Sequence, residues 1–393
     1  MPKTVKDLLI EIRNATELII DLAYSSILYD AEDIAEEVIE LEEKFYELLN
    51  EIRTLATLSA RRLEDAKRMV AIMQIASASQ KISSAAGDKS TLVLRNYKLG
   101  KDIVKLILSR SEETIVRISV PENSQVAGKT LGELRFQKVT GMRVIAIKRD
   151  LEWIFEVNRD TRIMKGDILF VRGDPNMVPK VYELVLGERK ELETVCELEI
   201  PELDNAVDAL IEMKNLSELA VDLAYSSLIY ENDDVALEVV YLENLLDNLK
   251  FEVEKNILLA SRRFEDPFVL IPILELAHSA EQIADGAREI AEVLLKKMEL
   301  PAVFREAMRK TDEVLTMVTV CENSNLQGKT LGEARVETNT GMHVVAIKRR
   351  GEWITRPTAS TRIFAGDILI AKGPKDGESE LINLCSAIEK QAL

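Results

Sequence analysis

Apolar residues recur at spacings of three and four through the first hundred positions, a period that predicts helices. Leu8, Ile12, Ala15, Ile19 and Leu22 share one face of a predicted helix over residues 4–30. Ile34, Val38, Leu41, Phe45, Leu48 and Ile52 form the stripe of a second, over 32–62, with Glu36, Glu37, Glu40, Glu42 and Glu43 on its other side. A third, over 65–97, carries Met69, Ile72, Met73, Ala76 and Ile82. Leu99-Gly100 ends it, and 102–109 makes a short further turn. None of these helices is apolar all round, so each needs partners, and the short connections imply an antiparallel bundle.

The period then changes to two. TIVRISV at 114–120 alternates as a half-buried strand does, and further strands are expected at 143–149, 153–158 and 168–172. Thr130 and Glu133 have the spacing of a capping box and predict a short helix. A helix over 176–186 closes a small α+β unit on a mostly antiparallel sheet. Gly166-Asp167 reads as a turn with glycine at positive φ in preference to a ligand contact, and Trp153 and Trp353 as sheet-face packing.

The whole programme then repeats. Gly128, Gly141, Trp153 and Asp167 recur as Gly328, Gly341, Trp353 and Asp367, an offset of 200 residues. DLAYSSILY at 21–29 recurs as DLAYSSLIY at 222–230, an offset of 201. Runs this long indicate a duplication. The expected order is bundle (1–110), sheet domain (111–190), bundle (191–310), sheet domain (311–393), with an acidic connector at 188–199.

A net charge of −17 over 393 residues argues against nucleic acid, which demands a basic footprint, and against an anionic membrane surface. Lys3, Lys6, Asp7 and Glu11 interrupt any signal-peptide core, and no apolar run reaches the length of a membrane span. Cys196, Cys321 and Cys385 form no C-x-x-C pair and read as reduced thiols of a cytoplasmic protein. The only histidines, His278 and His343, have Ser77 and Arg143 as counterparts, so no nucleophile–base set can be assembled and a non-enzymatic protein is expected.

On these residues two families come into view. The helical segments resemble half-domains of the PhoU family of transport regulators, the second more clearly, through HSAEQIADGAREIAE at 278–292 with Glu281 and Asp285. The acid-x-x-x-Asp spacing of that family is met by Glu17/Asp21 and Glu218/Asp222. The sheet segments resemble the C-terminal domain of the RCK (TrkA-C) family, which binds regulatory ligands in potassium channels and transporters. The matching residues are Gly128–Leu131, Val144–Arg149 and Gly166–Leu169, with their echoes. The fusion looks like a group of soluble, mostly archaeal proteins assigned to regulation of cation transport.

The resemblance implies an α+β architecture of two PhoU-like three-helix half-bundles packed antiparallel, alternating with two RCK C-terminal domains, in a chain that forms a pseudo-dimer or a homodimer. It implies a cytoplasmic regulator of potassium or divalent-cation transport that senses a small molecule or ion and works on a membrane channel or transporter. Carboxylates four apart on a helix reach one cation, so Glu17, Asp21, Glu218, Asp222, Glu281 and Asp285 are the candidate ligands of Mg, Mn or Fe. The first two pairs fall opposite the apolar stripes, and a solvated helix face explains them as well. The first bundle has Gln80 and Ser84 in place of Glu281 and Asp285.

Cyclic-dinucleotide-binding relatives line their pocket with an acid, an arginine and an asparagine. The corresponding positions, Arg135, Gln137 and Arg143 in one copy and Arg335, Glu337 and His343 in the other, differ from that set. Arg143, His343, Arg135 and Arg335 are the candidate ligand contacts. No G-x-G-x-x-G follows a strand, so no nucleotide-binding RCK N-terminal domain is expected. The readings that stay open are a PhoU-like phosphate-transport regulator, a structural adaptor on a transporter's basic loops, and a metal-dependent hydrolase resting on Glu281.

Overall fold

The computed structural model describes residues 3–111, 113–150, 152–154, 157–190, 198–311 and 313–387. Cys196, most of the acidic connector and part of the strand expected at 153–158 lie outside the described residues. The first half-bundle comprises α1 (Val5–Leu28), α2 (Glu32–Ser59) and α3 (Leu63–Leu94), followed by a short α4 (Lys101–Arg110). Its sheet domain contains β1 (Thr114–Ser119), α5 (Leu131–Leu134), α6 (Phe136–Thr140), β2 (Arg143–Arg149), β3 (Glu152–Ile154), β4 (Ile168–Gly173) and α7 (Val178–Leu186). The second copy repeats this as α8 (Pro201–Tyr230), α9 (Asp233–Ala260), α10 (Ile271–Leu295) and α11 (Ala302–Met308). Then follow β5 (Glu313–Thr319), α12 (Leu331–Ala334), α13 (Val336–Thr340), β6 (His343–Arg349), β7 (Glu352–Thr355), β8 (Ile368–Pro374) and α14 (Lys375–Cys385).

The two half-bundles pack against each other through α3 and α10. Arg68 pairs with Glu299 at 3.0 Å and Lys81 with Asp285 at 2.9 Å, while Gln74 donates to the carbonyl of Glu289 at 3.0 Å. Rising numbers on one helix meet falling numbers on the other, so the halves run antiparallel, as expected. They also interlock. The connecting helix α4 lies on α8, where Arg110 pairs with Asp204 and Asp208, and α11 lies on α1, where Lys6 pairs with Glu306. One apolar core runs through all six long helices.

Each sheet has the antiparallel order β1-β4-β2-β3 or β5-β8-β6-β7. One face carries its own small core, closed in the first domain by Val178, Val181 and Val185 of α7. The other face adds Ala146 and Phe170, or Ala346 and Ile370, to the core of the helical body. The molecule is thus layered: peripheral helix, sheet, bundle. Tyr29 at the end of α1 donates to the carbonyl of Ile115, and Tyr230 at the end of α8 to that of Leu315 at 2.9 Å, so each first helix fixes its own sheet.

A β-bulge interrupts the ladder between Val144 and Ala146, and again between Val344 and Ala346. An extra residue shifts the alternation of a strand by one. Ile145 and Ala146 therefore both pack on the body, and the strand still presents Arg143 before the bulge and Lys148 after it to the same side. The register sets Arg143 opposite Arg172 and His343 opposite Lys372.

The capping box at Thr130/Glu133 forms, and Gly166 has φ 82° before a fully buried Asp167 that accepts from Arg149. Trp153 packs on Phe170 with ring centroids 5.1 Å apart. The last helix ends at Cys385.

Two helix glycines sit in unlike surroundings. A Cβ on Gly286 would lie 2.5 Å from Ile82 and 3.0 Å from the Ala78 carbonyl, in the contact between the halves. A Cβ on Gly87 would meet only the end of the Glu42 side chain. Gly286→Val is expected to destabilise by about 1–3 kcal/mol, because overpacking here moves backbone, and Gly87→Ala to stay within about 1 kcal/mol, because a glutamate tip can swing away. Urea unfolding of both variants checks the contrast.

Candidate functional site

Two clefts open between the sheets and the helical body, and they correspond position for position. One is lined by Asn14, Asp21, Arg143, Ile145, Val157 and Arg172, the other by Asn215, Asp222, His343, Val345, Pro357 and Lys372. Their volumes are about 170 and 110 Å³, each several times the room one water needs. The first is floored by Leu41, Phe45 and Leu48 of α2, and the second adds Lys214, Arg356 and Glu113.

Between the clefts runs a buried chain of ion pairs. Arg172 of β4 reaches Asp21 at 2.9 Å, Glu313 at 3.3 Å and Glu113 at 3.8 Å. Lys372 of β8 lies 3.3 Å from Glu17, 3.4 Å from Asp222 and 3.3 Å from Glu313. Arg13 joins Glu17 to Asp222, and Arg143 of the first sheet domain pairs with Glu313 of the second. The two sheet domains are therefore adjacent, and Gly341 lies against Gln137. The acids of α1 are shared out, since Asp21 goes to the first sheet and Glu17 to the second.

Burial pushes the Asp21 carboxyl up to about 6 although Arg172 opposes the shift, and burial raises Glu17 as well. Burial also disfavours charge on Glu113, yet Arg172 beside it holds that carboxyl down at about 2. Burial opposes the charge of His343 too, but its hydrogen bond to Glu337 and the nearby Glu113 raise it to about 9.

The sequence placed Glu17/Asp21 and Glu218/Asp222 on faces turned away from the core. The structure corrects this: Asp21 and Asp222 are buried, because α1 and α8 are covered both by neighbouring helices and by the sheets. Glu218 is held by Lys214 at 2.8 Å. Glu281 lies 3.5 Å from both Lys250 and His278, and Asp285 pairs across the body with Lys81. Among the described residues no group of three or more histidine, cysteine, aspartate or glutamate side chains is arranged to hold a metal ion. Of the expected ligand contacts, Arg143 and His343 line the clefts. Arg135 and Arg335 line neither; both are exposed at the left-handed junction between two short helices.

Sequence reasoning missed Arg172, Lys372, Glu113 and Glu313. The signal was present: ILFVRG and ILIAKG carry one base each at the same position of an otherwise apolar strand. It missed Lys89 as well. This side chain is fully buried with Nζ 3.7 Å from the centre of the Tyr24 ring, and burial lowers its pKa to about 7. Its counterpart is Ile290.

The chain is a duplicated α+β protein whose sheet modules are ion-paired to a helical body. The comparisons name the modules. The family model of the TrkA-C domain matches residues 115–198 and 315–386, and that of the PhoU domain matches residues 210–294, within the second half-bundle. The chain is a fusion of PhoU and TrkA-C domains. It is 32% identical over 91 residues to the uncharacterized transporter sll0640 of Synechocystis sp. (strain ATCC 27184 / PCC 6803 / Kazusa). That match takes in 22% of this chain and 15% of the length of that relative.

Among solved structures, the RCK_C domain dimer of S. agalactiae BusR in complex with c-di-AMP is 27% identical, with 19% of this chain and 97% of that chain covered and a TM-score of 0.18. PhoU from Pseudomonas aeruginosa is 12% identical, with 75% and 96% covered and a TM-score of 0.40. These domain matches associate the chain with regulation linked to ion transport. No helix among the described residues is long and apolar enough to cross a membrane.

Lys372 neutralises three buried acids, so Lys372→Met is expected to cost about 3–5 kcal/mol, since removing one partner leaves uncompensated buried charge. Arg159→Ala, which breaks an exposed pair with Asp376, is expected to cost under about 1 kcal/mol. Denaturant midpoints check both. Because the pKa of His343 is raised on folding, its contribution is complete below pH 6.5 and is lost as pH rises through about 9. His343→Gln is expected to flatten the decline in stability between pH 7 and 10; parallel curves for parent and variant would refute this.

Proposed function

We propose that the protein is a non-enzymatic cytoplasmic regulator of a membrane cation channel or transporter. In this reading the two clefts take a small effector, and the ion pairs carry its effect between the sheet domains and the bundle. One observation carries it: the bases that line the clefts, Arg172 and Lys372, are also the ones that tie β4 and β8 to Asp21 and Asp222 on α1 and α8. A ligand there competes for these pairs and has different contacts in the docked and undocked arrangements, which is the condition for shifting a population. Cations such as K⁺ or a Mg, Mn or Fe ion would compete with the bases for the acids, and an anionic nucleotide with the acids for the bases. The duplication lets one chain act as a pseudo-dimer, supplying both halves of an interface that two chains usually build.

The test is a thermal-melt titration with K⁺, Mg²⁺, Mn²⁺, Fe²⁺ and nucleotides, including a cyclic dinucleotide. An effector at a hundred times its Kd is expected to stabilise by about 2.7 kcal/mol, and Lys372→Met to abolish the response. No shift with any of them rejects the sensor. A second reading, a ligand-independent adaptor or PhoU-like phosphate-transport regulator, is favoured by the acid row Glu36, Glu40, Glu43 and Glu47 on the exposed side of α2, which suits a basic cytoplasmic loop. It is distinguished by co-purification with a transporter that no effector alters.

A further inference from the structure

One face of α9 departs from its counterpart on α2. Leu237, Tyr241, Phe251 and Leu258 are 56%, 61%, 66% and 67% exposed. With Asn248 and Lys255 they form one stripe at spacings of three, four and seven, on the side of the helix away from the buried Val235, Val239, Leu242 and Leu246. At the aligned positions, 201 residues earlier, α2 has Glu36, Glu40, Asn50 and Thr57, all exposed. The two helices sit alike in their half-bundles, so packing within the chain does not call for apolar residues on this face. A contiguous exposed stripe of large apolar side chains marks an interaction surface.

We propose that this face joins two copies of the chain, α9 lying antiparallel on the α9 of the second copy about an axis at Asn248. The stripe is complementary to its own reverse. In that register Leu237 faces Leu259, Tyr241 faces Lys255, Phe251 faces Leu245, and Asn248 faces itself. Apolar ends cover one another, an ammonium meets an aromatic ring, and a central pair of asparagines fixes the register as a polar seam residue does in coiled coils. The flanking carboxylates do not collide, because Glu238 falls opposite Leu258 and Glu252 opposite Asn244. The contact closes at two copies, since a twofold interface uses the same patch on both. On α2 the same register would set Glu43 against Glu252, and Glu36 and Glu47 against Leu259 and Asn248, a poorer match than a second α9. This interface shares no residue with the clefts, so it stands or falls independently of the effector reading.

Sedimentation equilibrium of the full chain tests it. The parent, 44.2 kDa as one chain, is expected to sediment at twice that mass, and Leu237→Glu/Phe251→Glu at the single-chain mass with unchanged helical circular dichroism. A parent that remains single across the concentration range, or a dimer that survives the double substitution, overturns the proposal. Should the double variant fold poorly, oxidation provides a second measurement. Asn248→Cys is expected to form an intermolecular disulfide, whereas Glu47→Cys, its counterpart on α2, does not exceed the parent background. Equal crosslinking of the two also overturns it.

Discussion

A charge taken out of water has to meet its opposite, because an isolated buried ion costs several kcal/mol even after the protein relaxes. The structure depends on this constraint at the plane where the sheets meet the bundle. Glu17, Asp21, Glu113, Asp222 and Glu313 are brought there by four different elements or their edges, and Arg13, Arg143, Arg172 and Lys372 answer them. No single domain contains a complete set. Undocking the first sheet would take Arg172 from Asp21, and undocking the second would take Lys372 from Glu17 and Asp222 and leave Arg13 alone to answer both, so the layers dock together. The apolar contacts of Phe170 and Ile370 supply attraction without direction; the ion pairs supply the register.

The β-bulge makes the arrangement possible. Without the extra residue in β2, Arg143 and Lys148 would lie on opposite faces of the sheet, and one would point into the small core beneath α7. With it, one edge of the strand feeds Glu313 while the other end reaches Asp33 on α2. A local irregularity, repeated in both copies, thus lets β2 reach distant elements at two points, while β6 reaches Asp234 through Lys348 and its His343 pairs with Glu337 in its own domain.

Much of this was legible from the chain. Helical periodicity located the long helices, alternation located the strands, and the repeat fixed the order of modules. The capping box at Thr130 and the turn at Gly166 followed from local chemistry alone. The acids of α1 and α8 were legible as residues but not as a place. A helical wheel assigns one apolar face to a helix, whereas residues 19–27 of α1 are buried all round, Asp21, Ser25 and Ser26 included. Only the tertiary arrangement says that a second layer covers the polar face. Arg172 and Lys372 were overlooked for the opposite reason: a base at the end of an apolar strand reads as its solvent-facing terminus until a helix is found above it.

Duplication within one gene has a further consequence, seen where Glu42 lies over Gly87 while Glu243 pairs with Arg288 at 2.9 Å. In an assembly of identical subunits every amino-acid change is installed on both sides of the axis at once. Here a change arrives on one side only, and the sister position keeps its ancestral residue. Arg143 and His343, or Lys89 and Ile290, have already parted in this way. Such a chain can hold two clefts of unequal lining at a fixed one-to-one ratio, an asymmetry that a symmetric pair of chains is barred from evolving.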